Sequence, residues 1–175
     1  DTDWEIPDSP RWKTTYSESE AELEAWTLDA RGRYWFYSRQ DLSGARWALA
    51  AGVGLYYAKY EWECSNVRQW HPPFPDLPEF RYRGVGLTYD VTLYMPYAEI
   101  AGKLERGRWS GSAALGLSPY TQVEDVDDHI LRHIRAETDA DGTAVKMELE
   151  VRYALSPACF LFGRFDMLRF SVDGT

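Results

Sequence analysis

The amino-acid sequence predicts an all-β fold, an antiparallel transmembrane up-and-down β-barrel. Three observations support this prediction. Large apolar residues alternate with small or polar ones over stretches of 13 residues or more, one stretch carries a row of charges on its polar face, and short and long connections alternate along the chain. Strands of soluble sandwiches are usually about 5–6 residues long, so a soluble sandwich or a lipocalin-like barrel is the weaker alternative.

Six strands follow from this alternation. In chain order they are predicted at 20–36, 45–61, 83–97, 108–120, 143–155 and 159–172. The stretch 83–97 is the most regular, because every odd position from Val85 to Tyr97 is large and apolar. In the stretch 143–155, every even position from Lys146 to Arg152 is charged. In an outer-membrane barrel the apolar faces contact lipid and the polar faces line the interior, where such charges can pair.

The connections are alternately short and long. Short turns are predicted near 40–44, 105–108 and 156–158, and long segments at 1–19, 64–81 and 121–142. Short periplasmic turns and long extracellular loops are typical of outer-membrane barrels. We therefore predict a single partial barrel domain over 1–175, with the three long segments as extracellular loops. A closed barrel needs more strands than these six, so the chain is predicted to be a fragment.

The charge distribution argues against some partners and favours others. The 175 residues include 28 acidic and 19 basic ones, a net charge of −9, and nucleic acid is not expected as a partner because phosphate binding requires an excess of Lys and Arg. The acids are concentrated in 1–24 and 121–141. Four predicted strands separate these segments, so both are expected at one rim, where their field would attract cationic peptides. Cys64 and Cys159 lack metal-binding spacing and are assigned no role.

Two short motifs in the acidic segments could support catalysis. Asp1 and Asp3 are two residues apart, as are Asp127 and His129, and residues at this spacing share a face of an extended chain. An Asp beside a His orients the imidazole and raises its basicity, and two adjacent carboxylates can share a proton. Together the two pairs could deprotonate a water for attack on a peptide carbonyl. The alternative is an ordinary solvated acidic loop.

The motifs DTDW (Asp1–Trp4), VGLTYDVTLYMPYAEIAGKLE (Val85–Glu105) and VEDVDDH (Val123–His129) resemble the omptins, ten-stranded outer-membrane proteases of Gram-negative bacteria. The resemblance implies that this chain contains about six strands of a ten-stranded barrel. It also implies an aspartic-type endopeptidase whose Asp pair and Asp–His pair face each other across an extracellular cleft. By position, His129 would be the general base, Asp127 its orienting partner, and Asp1 with Asp3 the water holders.

The resemblance also implies a substrate preference and a lipid contact. Asp125 matches the acid that binds a basic side chain before the cleaved bond, which implies cationic peptide or protein substrates. Lys59 matches one basic residue of the site for lipopolysaccharide, whose requirement is left open, and no other cofactor is implied. Thr14 stands where an acid is expected on the far side of the cleaved bond, and Thr92 where a second arginine is expected.

Two rival interpretations remain open. Asp127, His129 and His133 would suit zinc if the segment were helical, although no third firm ligand follows from the sequence, and no metal is predicted. The second alternative is a non-catalytic outer-membrane barrel, an adhesin or a porin-like channel, with an acidic extracellular binding mouth.

Overall fold

The computed structural model describes residues 16–72 and 76–174, and it is all-β. The elements are β1 (Tyr16–Gln40), β2 (Arg46–Trp70), β3 (Phe80–Arg81), β4 (Val85–Arg106), β5 (Trp109–His129), a 3-10 turn (Ile130–Arg132), β6 (Ile134–Ser156) and β7 (Cys159–Gly174). They form one sheet in the order β1-β2-β4-β5-β6-β7, and β3 pairs with β2. The predicted all-β meander is therefore confirmed.

Within residues 16–72 and 76–174, no helix has the length and apolar character that crossing a membrane requires.

The strands extend well into the segments that were predicted as loops. β1 begins at Tyr16, β2 continues to Trp70, and the predicted loop 121–142 consists of the end of β5, a three-residue turn and the start of β6. The strand register also shows that β6 begins inside this predicted loop, since Ala140 of β6 pairs with Gly174 of β7 in an antiparallel ladder. The prediction ended the strands too early because it relied on the alternation of apolar and polar residues. This alternation occurs only where one face of a strand contacts an apolar environment, whereas backbone pairing needs no such pattern.

The described residues divide into two compact units. The first unit contains the described residues of 16–26, 59–91 and 125–138, and the second contains 27–58, 92–124 and 139–174.

The second unit has an outward apolar face on β2, β5 and β6, as predicted. Most of the large apolar side chains that are exposed in the described part of the chain belong to this unit. On β2, Trp47 and Val53 are 49 % and 69 % exposed, whereas the intervening Ala50 is buried. On β5, Leu115 and Leu117 are exposed and Gly116 is buried. Such a face is typical of strands that contact lipid.

The orientation of β4 is opposite to the prediction. Its regular row points inward, since Met95 and Tyr97 are 1 % and 4 % exposed, whereas Tyr94 is 41 % exposed. Glycines on the two neighbouring strands make room for these large residues. A Cβ at Gly116 of β5 would lie 3.0 Å from the Tyr97 ring, and one at Gly54 of β2 would lie 2.5 Å from its hydroxyl oxygen. Large and small residues thus alternate across the interior of this unit, as is common where a barrel is filled by side chains.

Charged residues in the interior of the second unit are ion-paired. Lys146 is 9 % exposed; it donates to Asp29 and lies 2.9 Å from Glu148. Arg31 donates to Glu148 at 2.6 Å, and the Tyr97 hydroxyl donates to Asp29 at 2.7 Å. This arrangement agrees with the expectation for Lys146 and Glu148 in the charged row of 143–155, because buried charges are tolerated only when they are paired. Arg152 of the same row is exposed and lies over the Phe160 ring at 4.3 Å.

A single carboxylate organises the turn between β1 and β2. The Asp41 Oδ1 atom accepts hydrogen bonds from the Ser43 N–H at 2.8 Å, the Ser43 hydroxyl at 2.6 Å and the Ala45 N–H at 2.9 Å. Gly44 has φ = 80°, a conformation that glycine adopts without strain. The turn is therefore specified by its own side chains.

Candidate active site

The end of β5 carries three alternating polar residues in the first unit, Asp125, Asp127 and His129. The His129 Nε2 atom lies 3.2 Å from Asp127 Oδ2, so the two side chains share a face, as their spacing predicted. Both are partly exposed, at 33 % and 37 % of the side chain. When Nε2 carries the proton it donates to Asp127, which fixes the tautomer and leaves Nδ1 free to accept. The pair can therefore act as an oriented base.

The second oxygen of Asp127 has a different environment. Oδ1 is shielded from solvent and has no hydrogen-bond partner among residues 16–72 and 76–174. A shielded carboxylate oxygen without a partner is costly, and each such atom calls for an explanation, such as local strain, a catalytic role or a bound water or ion. The unpartnered oxygen is compatible with the site role that the sequence predicts for Asp127.

Asp125 is held by a residue that sequence reasoning did not single out. The Tyr89 hydroxyl on β4 donates to Asp125 Oδ2 at 3.0 Å, and burial together with this hydrogen bond raises the pKa of Tyr89 above its usual value of 10.0. The Trp62 ring lies 5.5 Å from the Tyr89 ring. The carboxylate is thus bordered by Tyr89, whose ring packs on Trp62, and an aromatic ring near a carboxylate suits a cationic side chain. Tyr89 was interpreted only as part of an apolar row, so its hydroxyl was missed.

The remaining predicted site residues do not all join this group. Asp1 and Asp3, like Thr14, lie outside the described residues. Lys59 forms an ion pair with Glu61, 2.5 Å from Nζ to Oε1. Glu61 also borders a cleft with four other acidic side chains, Glu22, Glu24, Glu63 and Asp90.

The structure gives no support to the zinc interpretation. Residues 130–132 form a 3-10 turn, and His133 follows it with φ = 53°, so the helical spacing that would bring His129 and His133 together is absent. In the described ranges 16–72 and 76–174, no three His, Cys, Asp or Glu side chains are arranged to hold a metal ion.

A clamp of charged side chains fixes β3 beside the site. Glu79 accepts hydrogen bonds from Arg68 and from Arg81, the latter at 2.8 Å. These bonds lower the pKa of Glu79 to about 2. The Tyr82 N–H also donates to the Val67 carbonyl at 2.8 Å. The short strand is therefore anchored to the end of β2.

Comparison with known proteins identifies the family. The family model for the omptins matches residues 1–172. The chain belongs to the omptin family. The crystal structure of the outer membrane protease OmpT from Escherichia coli has the same fold, with a TM-score of 0.62 at 12 % sequence identity. The match covers 99 % of this chain and 65 % of the OmpT chain. A comparison with curated proteins finds no match.

The omptin resemblance and the barrel fold predicted from the sequence are therefore confirmed. The structure brings Asp127 and His129 together and adds Tyr89 to Asp125. The chain spans 65 % of the length of OmpT.

Proposed function

We propose that the chain is part of an outer-membrane endopeptidase that cleaves cationic peptides and proteins at Lys or Arg sites, using a water activated by Asp127 and His129. Membership of the omptin family and the OmpT-like fold support a protease of the outer membrane. The contact of 3.2 Å between His129 Nε2 and Asp127 Oδ2 carries the mechanistic part of the proposal.

In the proposed mechanism His129 is the general base. It accepts a proton from water through Nδ1 while the water oxygen attacks the peptide carbonyl carbon, and Asp127 stabilises the imidazolium that forms. The imidazolium then returns the proton to the leaving amine, so the site is regenerated. Asp1 and Asp3 are proposed to hold the water and to share a proton near the developing oxyanion. Neither a metal ion nor another cofactor takes part in these steps.

Asp125 is proposed to bind the basic side chain that precedes the cleaved bond. Its Oδ2 atom already accepts from Tyr89 at 3.0 Å, which orients the carboxylate and leaves Oδ1 for the substrate cation. A charge-assisted bond to a guanidinium is stronger than a neutral hydrogen bond. The rings of Tyr89 and Trp62, 5.5 Å apart, would add a cation–π contribution.

The apolar outward rows of the second unit are proposed to contact lipid, and the site in the first unit is proposed to face the extracellular side. Trp47 and Val53 in β2 belong to these rows. Lys59, which forms an ion pair with Glu61, is proposed as a lipopolysaccharide contact. The partners are therefore the outer membrane and cationic substrates.

The test is cleavage of a quenched fluorescent peptide with two adjacent arginines by the full chain refolded in detergent with lipopolysaccharide. His129→Ala is expected to lower kcat by about 10²–10⁴-fold, the usual contribution of a general base. The matched control is His133→Asn, since Asn tolerates the positive φ at that position. Full activity of His129→Ala would refute the mechanism, and equal loss in both variants with inhibition by a chelator would favour a metal site.

A further inference from the structure

The first unit contains a cleft of about 610 Å³ whose border includes His129. We propose that this cleft binds a large apolar side chain of the substrate, within two residues of the cleaved bond on its carboxyl side. The inference rests on the proposed function, and it adds a specificity determinant that the acidic residues do not supply. The volume falls in the range of about 300–1,000 Å³ that is typical of ligand sites.

Part of the cleft wall consists of apolar side chains from four different elements, and Ser17, Ser19 and Gln69 are among its polar lining residues. Val67 comes from β2, Phe80 from β3, Leu87 from β4 and Leu131 from the 3-10 turn. Phe80 is 47 % exposed, although its neighbours in sequence are charged or polar. An exposed aromatic ring at the edge of an apolar cleft gains free energy when an apolar group covers it.

The base of the cleft is closely packed. A Cβ at Gly86 would lie 2.8 Å from Val67 Cγ2 and 3.2 Å from Leu131 Cδ1, so both side chains rest on the backbone of β4. Phe80 is paired in register with Gln69, beside the charged clamp at Glu79. The cleft is therefore largely preformed, which reduces the ordering cost of binding.

The position of the cleft relative to Asp125 indicates which part of the substrate enters it. Asp125 and His129 are separated along β5 by about 13 Å, from four residues at about 3.3 Å each. The cleft includes the residues beyond His129, Leu131 and Arg132, but not Asp125. If the basic side chain reaches Asp125 and the cleaved bond lies at His129, the following residues extend toward the cleft.

Charge at the rim does not compete with this choice. Glu18 and Arg132 both border the cleft, so the rim carries one side chain of each sign. A charged substrate side chain of either sign would meet one like charge and one opposite charge, so these two residues give no net preference for either sign. The discrimination between substrates then comes from the apolar part of the wall, and an aromatic or large aliphatic residue is the expected ligand.

The first experiment compares peptides that share one arginine and differ only in the two residues after the cleaved bond. When one of these two residues is Phe or Leu, kcat/KM is expected to be about tenfold higher than when Gly or Asp stands there. This is the discrimination typical of an apolar pocket. Phe80→Ser should reduce this ratio to about two. Leu77→Ser is the matched control, since Leu77 is 52 % exposed in the same segment and should keep the full ratio.

The second experiment detects occupancy directly through Cys64, which lines the cleft. In a Cys159→Ser background, an uncleavable peptide with an apolar residue after the arginine should slow maleimide labelling of Cys64 several-fold, and its Gly counterpart should not. Cleavage of all arginine peptides with equal efficiency would overturn the cleft proposal and leave the protease proposal intact. If no peptide is cleaved, the protease proposal fails. If the apolar peptide then also fails to slow maleimide labelling of Cys64, the cleft proposal is overturned as well.

Discussion

Replacement of Lys146 with methionine tests whether the interior ion pairs stabilise the second unit. Lys146 makes two charge-assisted contacts, with Asp29 and, at 2.9 Å, with Glu148, each worth about 1.5–3 kcal/mol. Arg31 remains 2.6 Å from Glu148 and Tyr97 remains 2.7 Å from Asp29. Arg31 and Tyr97 compensate in part for the lost contacts. We therefore expect the free energy of unfolding to fall by about 3 kcal/mol, the lower limit of the summed contribution of the two contacts.

The chain offers a control of the same chemistry on the surface. Lys103 lies 2.6 Å from Glu105, but the two side chains are 47 % and 41 % exposed, and exposed pairs contribute only about 0.2–1 kcal/mol. Urea unfolding in micelles, followed by Trp fluorescence, should show a loss below about 1 kcal/mol for Lys103→Met. In the Lys146→Met background, Asp29→Asn should restore part of the stability, because it removes an uncompensated charge. Equal losses for the two lysine variants would refute the reasoning.

Two further predictions concern the first unit. Tyr89→Phe removes the hydrogen bond to Asp125 and should raise KM for arginine peptides about tenfold, the equivalent of about 1.4 kcal/mol, with kcat nearly unchanged in steady-state assays. The Glu79 carboxylate, with a folded pKa of about 2 against an ordinary 4.5, stabilises the β3 clamp above pH 4.5 and loses that effect as the pH falls toward 2. Hydrogen exchange at the Tyr82 N–H, corrected for its intrinsic rate, should accelerate over this interval.

Each of these two predictions has a discriminating outcome. A loss of kcat with unchanged KM in Tyr89→Phe would show that the hydroxyl acts on the chemical step and not on Asp125. For the clamp, Glu79→Gln should show fast Tyr82 exchange at all pH values. Slow exchange in that variant at pH 6 would mean that the carboxylate does not anchor β3.

The sequence predicted correctly which residues of a strand share a face. It was less reliable in predicting which of the two faces is buried. The alternation in β2 and β6 was interpreted correctly as apolar outside and polar inside, but the same pattern in β4 points the other way, with Met95 buried. Alternation alone is symmetric with respect to the two faces. The deciding information lies on neighbouring strands, where Gly54 and Gly116 leave space for Tyr97, and it becomes readable only when the strand pairing is known.

The candidate site shows the same limit. The spacing of Asp127 and His129 placed them on one face, and they are in contact, because their geometry depends only on a locally extended chain. Tyr89 and the apolar cleft were missed, since they depend on residues far apart in sequence. The strand ends at 64–70 and 121–129 were missed because their polar composition is typical of loops, although the backbone there remains paired.

The turn at Asp41 has a consequence for folding. Three donors converge on one carboxylate oxygen, so the turn defines which residue begins each arm of a hairpin whose strands have 25 residues each. A shift of one residue would send Trp47 and Val53 inward and Ala50 outward. The Asp41 side chain therefore sets the pairing register for the 50 residues of these two strands. A register error in this hairpin would arise at the turn, before the long strands have paired.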